Sequence, residues 1–146
     1  MKPDYQLLEK ELLTQLAKEQ IYTGEAHCLA YGTDASFYRL IPKIVLRLNN
    51  LDEVVFTIKT CRSLHIPCTF RVAGTSLSGQ AVSDSVLITL SDDWRKHNIL
   101  EGGFKITLQP GVIGADANKY LAPFGRKIGP DPASINTCKI GGIATK

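Results

Sequence analysis

The chain has 146 residues, of which 44% are hydrophobic and 21% charged, and its formal net charge at pH 7 is +3. This length and apolar content can bury one ordinary core, and the composition is not that of a disordered chain. Lysine and arginine are spread along the sequence rather than gathered into a stripe, so we expect no nucleic-acid partner.

The first predicted element is an amphipathic helix over residues 5–18, with Asp4 as a suitable N-cap. Its apolar positions recur at helical spacing, with charged residues between them: Tyr5, Leu8, Leu12 and Leu16. We expect this helix to end near residues 22–24, and a turn at residues 31–34. Residues 1–40 are therefore predicted to form a helical lead-in.

A strand–helix–strand unit follows the lead-in. Residues 43–48 are typical of a strand buried on both faces, and residues 68–72 of a second strand. Between them a helix is predicted over residues 52–64, with Asn50 as its cap and Glu53 reaching back in a capping box. The residues expected to face the core are Val54, Val55, Ile58 and Cys61. The short links predict a right-handed βαβ unit with two parallel strands.

Further strands are predicted beyond this unit. Residues 85–90 read as a strand, and residues 105–109 alternate like a half-exposed one that pairs with residues 98–100. A helix is expected over residues 113–121. Residues 128–144 are rich in glycine and proline, and no regular element is predicted there. The elements together indicate an α+β fold.

The cysteines and histidines show no metal-binding pattern. Cys28, Cys61, Cys68 and Cys138 lack C-x-x-C spacing, and the three histidines complete no ligand set. The start of the chain is amphipathic rather than an apolar signal segment, and no apolar run is long enough to cross a bilayer. We therefore expect reduced, packed thiols in a cytoplasmic protein with no transmembrane segment.

The segment after the second predicted strand, residues 71–80, has the composition of a phosphate-binding loop. Glycine permits conformations that turn successive N–H groups inward, and the hydroxyl groups of serine and threonine add donors. Gly74 and Gly79 are not followed by Lys-Ser or Lys-Thr, which excludes a P-loop, and no G-x-G-x-x-G motif is present. On composition alone, a plain surface turn is an equal alternative.

A second segment, residues 129–144, is stiffened by prolines and opened by glycines. Pro130 and Pro132 flank Asp131 and favour an extended stretch suited to forming a wall against a flat ligand. Two adjacent glycines near its end permit close backbone approach. Asp131 has two alternative roles: an acid or base, or an acceptor of hydrogen bonds from local backbone amides. Because aspartate in an Asp-Pro turn commonly bonds nearby amides, we favour the second role.

Four motifs follow one another in order: Arg71-x-x-Gly-Thr-Ser-Leu-Ser-Gly-Gln80, Gln109-Pro110-Gly111-Val112, Pro130-Asp131-Pro132-Ala133-Ser134 and Ile140-Gly141-Gly142-Ile143-Ala144-Thr145. Together they resemble the FAD-linked oxidases with the fold shared by vanillyl-alcohol oxidase and p-cresol methylhydroxylase (PCMH). The resemblance covers roughly residues 30–146 and is strongest to the glycolate oxidase and D-lactate dehydrogenase-like branch. Residues 31–39 also resemble the large members that are fused to an iron–sulfur region.

The resemblance implies the N-terminal subdomain of a PCMH-type FAD-binding domain, with a small parallel βαβ core plus additional strands. Residues 41–146 would be its first subdomain and the start of the second. The pyrophosphate of FAD would be bound through backbone amides, helped by two hydroxyl groups, in a loop made of Ala73, Gly74, Thr75, Ser76, Leu77, Ser78 and Gly79. The residues expected beside the flavin are Pro130, Asp131, Pro132, Ala133 and Ser134. Those expected to contact the cofactor at the start of the second subdomain are Ile140, Gly141, Gly142 and Ala144.

Two positions depart from the pattern of the family. Glycine is usual at one or both of the positions held by Val72 and Ala73, and the β-branch of Val72 restricts the loop. Lys146 stands where asparagine is common. In the family, substrate-side bases and arginines belong to a later cap domain and iron–sulfur cysteines follow later still. None can be matched here, so we expect an inactive fragment without catalytic residues, and an iron–sulfur cluster only in a missing C-terminal region.

The implied function of the parent protein is FAD-dependent oxidation of a small 2-hydroxy acid, such as D-lactate or glycolate, with transfer of the electrons to an acceptor. Attachment of the parent to the periphery of the inner membrane is left open. The alternatives are an autonomous, non-catalytic nucleotide- or phosphate-binding module, and a structural remnant that binds nothing. Cys138 is the only nearby candidate for covalent flavin attachment, so noncovalent FAD is expected. An apolar face left by a missing subdomain would favour self-association of the fragment.

Overall fold

A computed structural model of the chain describes residues 3–145. They form two compact units, and the boundary between the units falls after Ser91. The first unit has four strands, namely β1 (Ile21–Tyr22), β2 (Ile44–Leu48), β3 (Cys68–Arg71) and β4 (Val86–Leu90). They form one sheet in the order β1-β2-β4-β3, in which β2 and β3 both pair with β4 in parallel and β1 is antiparallel to β2. The predicted parallel strands therefore share a direction, with β4 between them.

Three helices cover the two faces of this sheet: α1 (Tyr5–Leu12), α2 (Glu25–Ala30) and α3 (Leu51–Ser63). The larger core cluster joins α1 and α3 to one face, where Leu46 and Ile88 are fully buried. The smaller cluster joins Cys28 of α2 to Val45 and Leu87 on the other face. Parallel strands are stable when both faces are covered, and this explains why the middle of β2 is apolar at consecutive positions.

The first helix is shorter than its periodicity predicts. The Asp4 carboxylate caps α1 by accepting a backbone amide of the first turn over 3.0 Å, as expected. The helix ends at Leu12 rather than at residue 18, because the Thr14 hydroxyl bonds a carbonyl of the preceding turn over 2.6 Å and the chain leaves the helix. Leu16 still reaches the core through a turn. Residues 21–22, expected near the helix end, form β1 instead.

Asn50 caps α3 as predicted, but Glu53 does not close the predicted capping box, because its carboxylate accepts the amide of Asn49, one residue before the cap. The Asn50 side chain accepts the Glu53 amide over 3.0 Å, and the Glu53 carboxylate reaches back to the Asn49 amide over 2.7 Å. The Asn50 side chain thus satisfies one backbone donor that the first turn of a helix leaves without a partner, and the bond to Asn49 fixes the chain just before the helix.

The buried face of α3 differs from the predicted one. Val55 and Ile58 are 40% and 39% exposed, so their assignment to the core is wrong. The residues that pack inward are Val54, Thr57 and Cys61, which recur at spacings of three and four. The middle position of the buried face is a threonine. A prediction based on hydrophobicity alone therefore assigned the buried face to positions shifted by about one residue.

The second unit contains a hairpin of β5 (His97–Leu100) and β6 (Lys105–Leu108), paired antiparallel as predicted. It is followed by α4 (Gly114–Leu121) and a short helix α5 (Ile140–Ala144). The prediction of no regular element over residues 128–144 is therefore wrong for residues 140–144. A five-residue helix with two glycines is too short to show helical periodicity in the sequence. None of the helices formed by residues 3–145 combines the length and apolarity needed to span a bilayer.

Candidate nucleotide-binding loops

The loop of residues 72–80 follows β3 directly, at the carboxyl end of a parallel strand. Ligands of parallel α/β sheets characteristically bind beyond the carboxyl ends of the strands. The expected strand before Ala73 is therefore present, and the loop begins where such a site should begin.

The backbone of this loop presents a row of hydrogen-bond donors. The amides of residues 73–77 donate to no other group within the described range 3–145. Gly74 and Gly79 have φ angles of 69° and 71°, a region that glycine enters without strain. Backbone N–H groups that lack a protein partner need water or a ligand as acceptor, and consecutive free amides in a turn suit the oxygens of an anion.

The hydroxyl group of Ser76 shapes the loop from within. It is 9% exposed, donates to the Gln80 side-chain oxygen over 3.2 Å, and accepts the amides of Ser78 and Gln80 over 3.2 and 3.4 Å. These bonds occupy its hydrogen and its lone pairs. The structure therefore gives Ser76 a supporting position, whereas the sequence motif suggested a direct contact with phosphate.

Arg71, the last residue of β3, ties the loop to residues 31–34. Its guanidinium donates to the carbonyls of Thr33 and Tyr31 over 2.6 and 3.2 Å, and it lies 5.6 Å from the centre of the Tyr31 ring. A backbone bond from the Ala35 amide to the Gly74 carbonyl, at 3.0 Å, adds a second link. The loop is thus held from one side while its own amides stay free.

The two loop glycines have close neighbours that a side chain would have to displace. A Cβ at Gly74 would lie 2.6 Å from the Arg71 guanidinium, and one at Gly79 would lie 2.6 Å from the Tyr38 ring. Residues 31–38 therefore form part of the loop surroundings. Sequence reasoning noted this segment only as a family motif and did not include it in the site.

Asp34 adds a negative charge to the segment of residues 31–38, beside Arg71. Burial raises the pKa of its carboxyl, but hydrogen bonds from Ser36, the Ala81 amide and the charge of Arg71 outweigh burial, so the net pKa shift is downward. The Asp34 carboxylate is thus ionised at neutral pH and partly offsets the positive field of Arg71.

Residues 130–134 lie in the second unit and form an extended stretch that enters a turn. The Pro132 carbonyl accepts the Ile135 amide over 2.9 Å, and the Ser134 carbonyl accepts the Cys138 amide over 2.8 Å. Asp131 is exposed, and its carboxylate accepts a hydrogen bond from Lys127 over 3.2 Å. Among residues 3–145 it accepts no backbone amide, whereas the favoured expectation was a bond to local amides.

The glycines of the last motif allow close packing inside the second unit. The Gly141 amide donates to the Pro110 carbonyl over 3.0 Å, and a Cβ at Gly141 would lie 2.9 Å from the Pro110 side chain. A Cβ at Gly142 would meet no neighbouring atom of the described residues 3–145 within 4 Å. Gly141 is therefore required by packing, whereas Gly142 leaves open space in front of its backbone.

An open groove of about 400 Å³ also lies in the second unit, lined by Gly103, Phe104, Ile106, Leu121 and residues 126–129. The Arg126 guanidinium lies 3.6 Å from the centre of the Phe104 ring. A cation stacked on an exposed aromatic ring gives this groove both a positive charge and a flat apolar surface.

A parallel sheet covered by helices, with a glycine-containing loop of free amides beyond a strand, defines a nucleotide-binding class of protein. Residues 42–146 match the family described as FAD binding domain, and the chain belongs to this family. It is 32% identical over 127 residues to glycolate oxidase subunit GlcD of Escherichia coli (strain K12), covering 85% of this chain and 25% of GlcD. It is 28% identical over 140 residues to D-2-hydroxyglutarate dehydrogenase of the same organism, covering 88% of this chain and 14% of that protein.

Two solved structures confirm the fold. Alkyldihydroxyacetonephosphate synthase superposes with a TM-score of 0.79 at 17% identity, over 95% of this chain and 28% of that chain. p-Cresol methylhydroxylase gives a TM-score of 0.68 at 13% identity, over 86% of this chain and 26% of that chain. The predicted family and PCMH-type α+β fold are therefore confirmed. The chain spans about a quarter of the length of GlcD.

Proposed function

We propose that the loop of residues 73–79 binds the pyrophosphate of FAD through its backbone amides. The observation that carries this proposal is the row of amides at residues 73–77, which have no acceptor among residues 3–145 and lie at the carboxyl end of β3. A pyrophosphate offers many acceptor oxygens in a small volume, and hydrogen bonds to charged acceptors are stronger than neutral ones. Arg71 at the base of the loop adds a positive field.

The residues expected along the rest of the cofactor remain part of this proposal. They are Pro130, Asp131, Pro132, Ala133, Ser134, Ile140, Gly141, Gly142 and Ala144. The open space in front of Gly142 supports a close backbone approach there. We further propose noncovalent FAD, because the residue Cys138 is 6% exposed and its thiol is thus poorly placed to attack a ligand.

For the longer protein we propose oxidation of a small 2-hydroxy acid, with transfer of the electrons to an acceptor. The names of the similar proteins, glycolate oxidase subunit and D-2-hydroxyglutarate dehydrogenase, support this substrate class. The bound flavin would supply hydride acceptance, while the residues of this chain hold and orient it. A cytoplasmic location is also proposed, and it is supported by four free thiols. We expect the 146-residue chain alone to bind FAD weakly and to show no turnover.

The loop assignment is tested by titrating FAD into the ¹⁵N-labelled chain and following amide chemical shifts, a readout that tolerates millimolar affinity. The amides of residues 73–77 should shift most, with Ser134, Gly141 and Gly142 reporting the second group of contacts. Inorganic pyrophosphate and ADP serve as smaller probes of the same donors. Shifts that leave residues 73–79 unaffected would overturn the assignment.

Gly74→Asp and Gly74→Asn form a matched pair for the same experiment. Both side chains tolerate the positive φ of 69°, and both displace only the flexible end of Arg71. At about 6 Å and an effective dielectric constant of about 20, the Asp charge opposes each phosphate charge by about 3 kcal/mol. Because Arg71 offsets part of this, we expect Asp to bind FAD at least about tenfold more weakly than Asn. Equal binding by the two variants would show that no phosphate lies near this position.

A further inference from the structure

The turn between α3 and β3 brings two cysteines together. His65 adopts a φ of 54°, its amide donates to the Arg62 carbonyl over 3.1 Å, and the Ile66 amide donates to the Cys61 carbonyl over 2.9 Å. These two bonds form a Schellman motif, which reverses the chain at the end of a helix. The reversal leads the chain from Cys61, in the last turn of α3, to Cys68, the first residue of β3.

Cys61 belongs to the larger core cluster, and Cys68 packs against the same cluster. Cys61 is 2% exposed, whereas Cys68 is only half-buried at the margin of that cluster. The pair therefore combines a half-buried thiol with a fully covered thiol at the same core cluster. Cys28 and Cys138 lie buried elsewhere, without a second thiol beside them among the described residues.

A hydrogen-bonding interaction between the two thiols shifts their pKa values in opposite directions. Donation by the Cys61 thiol lowers the pKa of Cys68 to about 7, with burial acting in the opposite direction. The same bond, together with burial, raises the pKa of Cys61. The negative charge is thus held on the more accessible sulfur, and a thiolate is the reactive form of cysteine.

We propose that Cys68 and Cys61 form a modification site for small hydroperoxides, with Cys68 as the attacking sulfur and Cys61 as the resolving one. The Cys68 thiolate attacks the terminal oxygen of the hydroperoxide, the O–O bond breaks, and a sulfenic acid forms as alkoxide or hydroxide leaves. The Cys61 thiol then attacks the Cys68 sulfur, an S–S bond forms, and the sulfenic oxygen leaves as water. With hydrogen peroxide, two thiols are oxidised to one disulfide and the peroxide is reduced to two waters.

Limited oxidation with hydrogen peroxide followed by alkylation and trypsin digestion tests this site. Trypsin cleaves after Lys59, Arg62 and Arg71, so a disulfide would link the peptides of residues 60–62 and 63–71. We expect this linked pair in non-reducing mass spectra and its loss on reduction. A disulfide between two copies of the chain, or one that involves Cys28 or Cys138, would overturn the proposal.

Two variants separate the roles of the sulfurs. Cys61→Ser should leave the Cys68 sulfenic acid unresolved, so that dimedone labels the peptide of residues 63–71, whereas Cys68→Ser should show no labelling. Cys28→Ser is the matched control, because it removes a buried thiol and should retain the linked peptides. If Cys61 or Cys138 is labelled as fast as Cys68 at pH 7, the assignment of the attacking sulfur is wrong. This test needs no FAD and is independent of the proposed function.

Discussion

Thr57 on α3 gives a prediction that depends on one atom. Its side chain is 0% exposed, and its hydroxyl oxygen has no hydrogen-bond partner among residues 3–145. A buried hydroxyl without a partner costs about 1–3 kcal/mol of folding free energy. Thr57→Val keeps the shape, removes that cost and has nearly the same helix propensity. We therefore expect Thr57→Val to raise the free energy of unfolding by about 1–3 kcal/mol.

Thr57→Ser provides the matched control, because it keeps the hydroxyl and removes a buried methyl group worth about 0.8 kcal/mol or more. It should lower the free energy of unfolding by about 1 kcal/mol. Urea unfolding followed by far-UV circular dichroism measures both changes, and amide exchange in α3 assigns them to the first unit. A Thr57→Val protein that is no more stable than the wild type would show that the hydroxyl is satisfied and would refute the reasoning.

Two further predictions concern Gly79 and the Cys61–Cys68 pair. Gly79→Ala places a Cβ 2.6 Å from the Tyr38 ring at a φ of 71° and should lower the free energy of unfolding, measured in urea, by about 1–3 kcal/mol. Adding Tyr38→Ala in the same chain should recover part of this loss. Additive effects of the two substitutions would contradict the contact. Between pH 7 and 9 the unfolded Cys68 binds more protons than the folded one, so the free energy of unfolding should rise with pH in this window. Above pH 9 the raised pKa of Cys61 should reverse the trend, and in Cys68→Ser the rise should vanish; a Cys68→Ser profile that matches the wild type would contradict the assignment.

The sequence predicted most of the elements near the loop, because strands and caps there have strong local signals. The apolar run of β2, the Asn50 cap and the strand before Ala73 all follow from residues close in sequence. The insertion of β4 between β2 and β3 did not follow, because strand order is set by tertiary packing. The end of α1 was missed because a turn satisfies the same apolar spacing as a helix.

The candidate loop was predictable only as a composition. The motif gave its residues, but the free amides and the internal bonds of Ser76 depend on backbone angles that a sequence pattern does not report. The contact of Arg71 with Tyr31 and that of Tyr38 with Gly79 became visible only in the structure, because each joins residues about 40 positions apart in the sequence. The thiol pair was likewise hidden, since a spacing of seven residues matches no metal or redox motif.

The position of β3 at the edge of the sheet links ligand binding to local opening of the chain. β3 pairs with β4 on one side and with no other strand formed by residues 3–145, so it belongs to the part of the sheet that exchanges its amide hydrogens through the smallest fluctuations. A ligand that grips the loop after β3 adds its binding free energy to the closed form of that edge. Cofactor binding and local opening of β3 are then thermodynamically linked. Slower exchange of the amide hydrogens in β3 would therefore measure how much cofactor is bound.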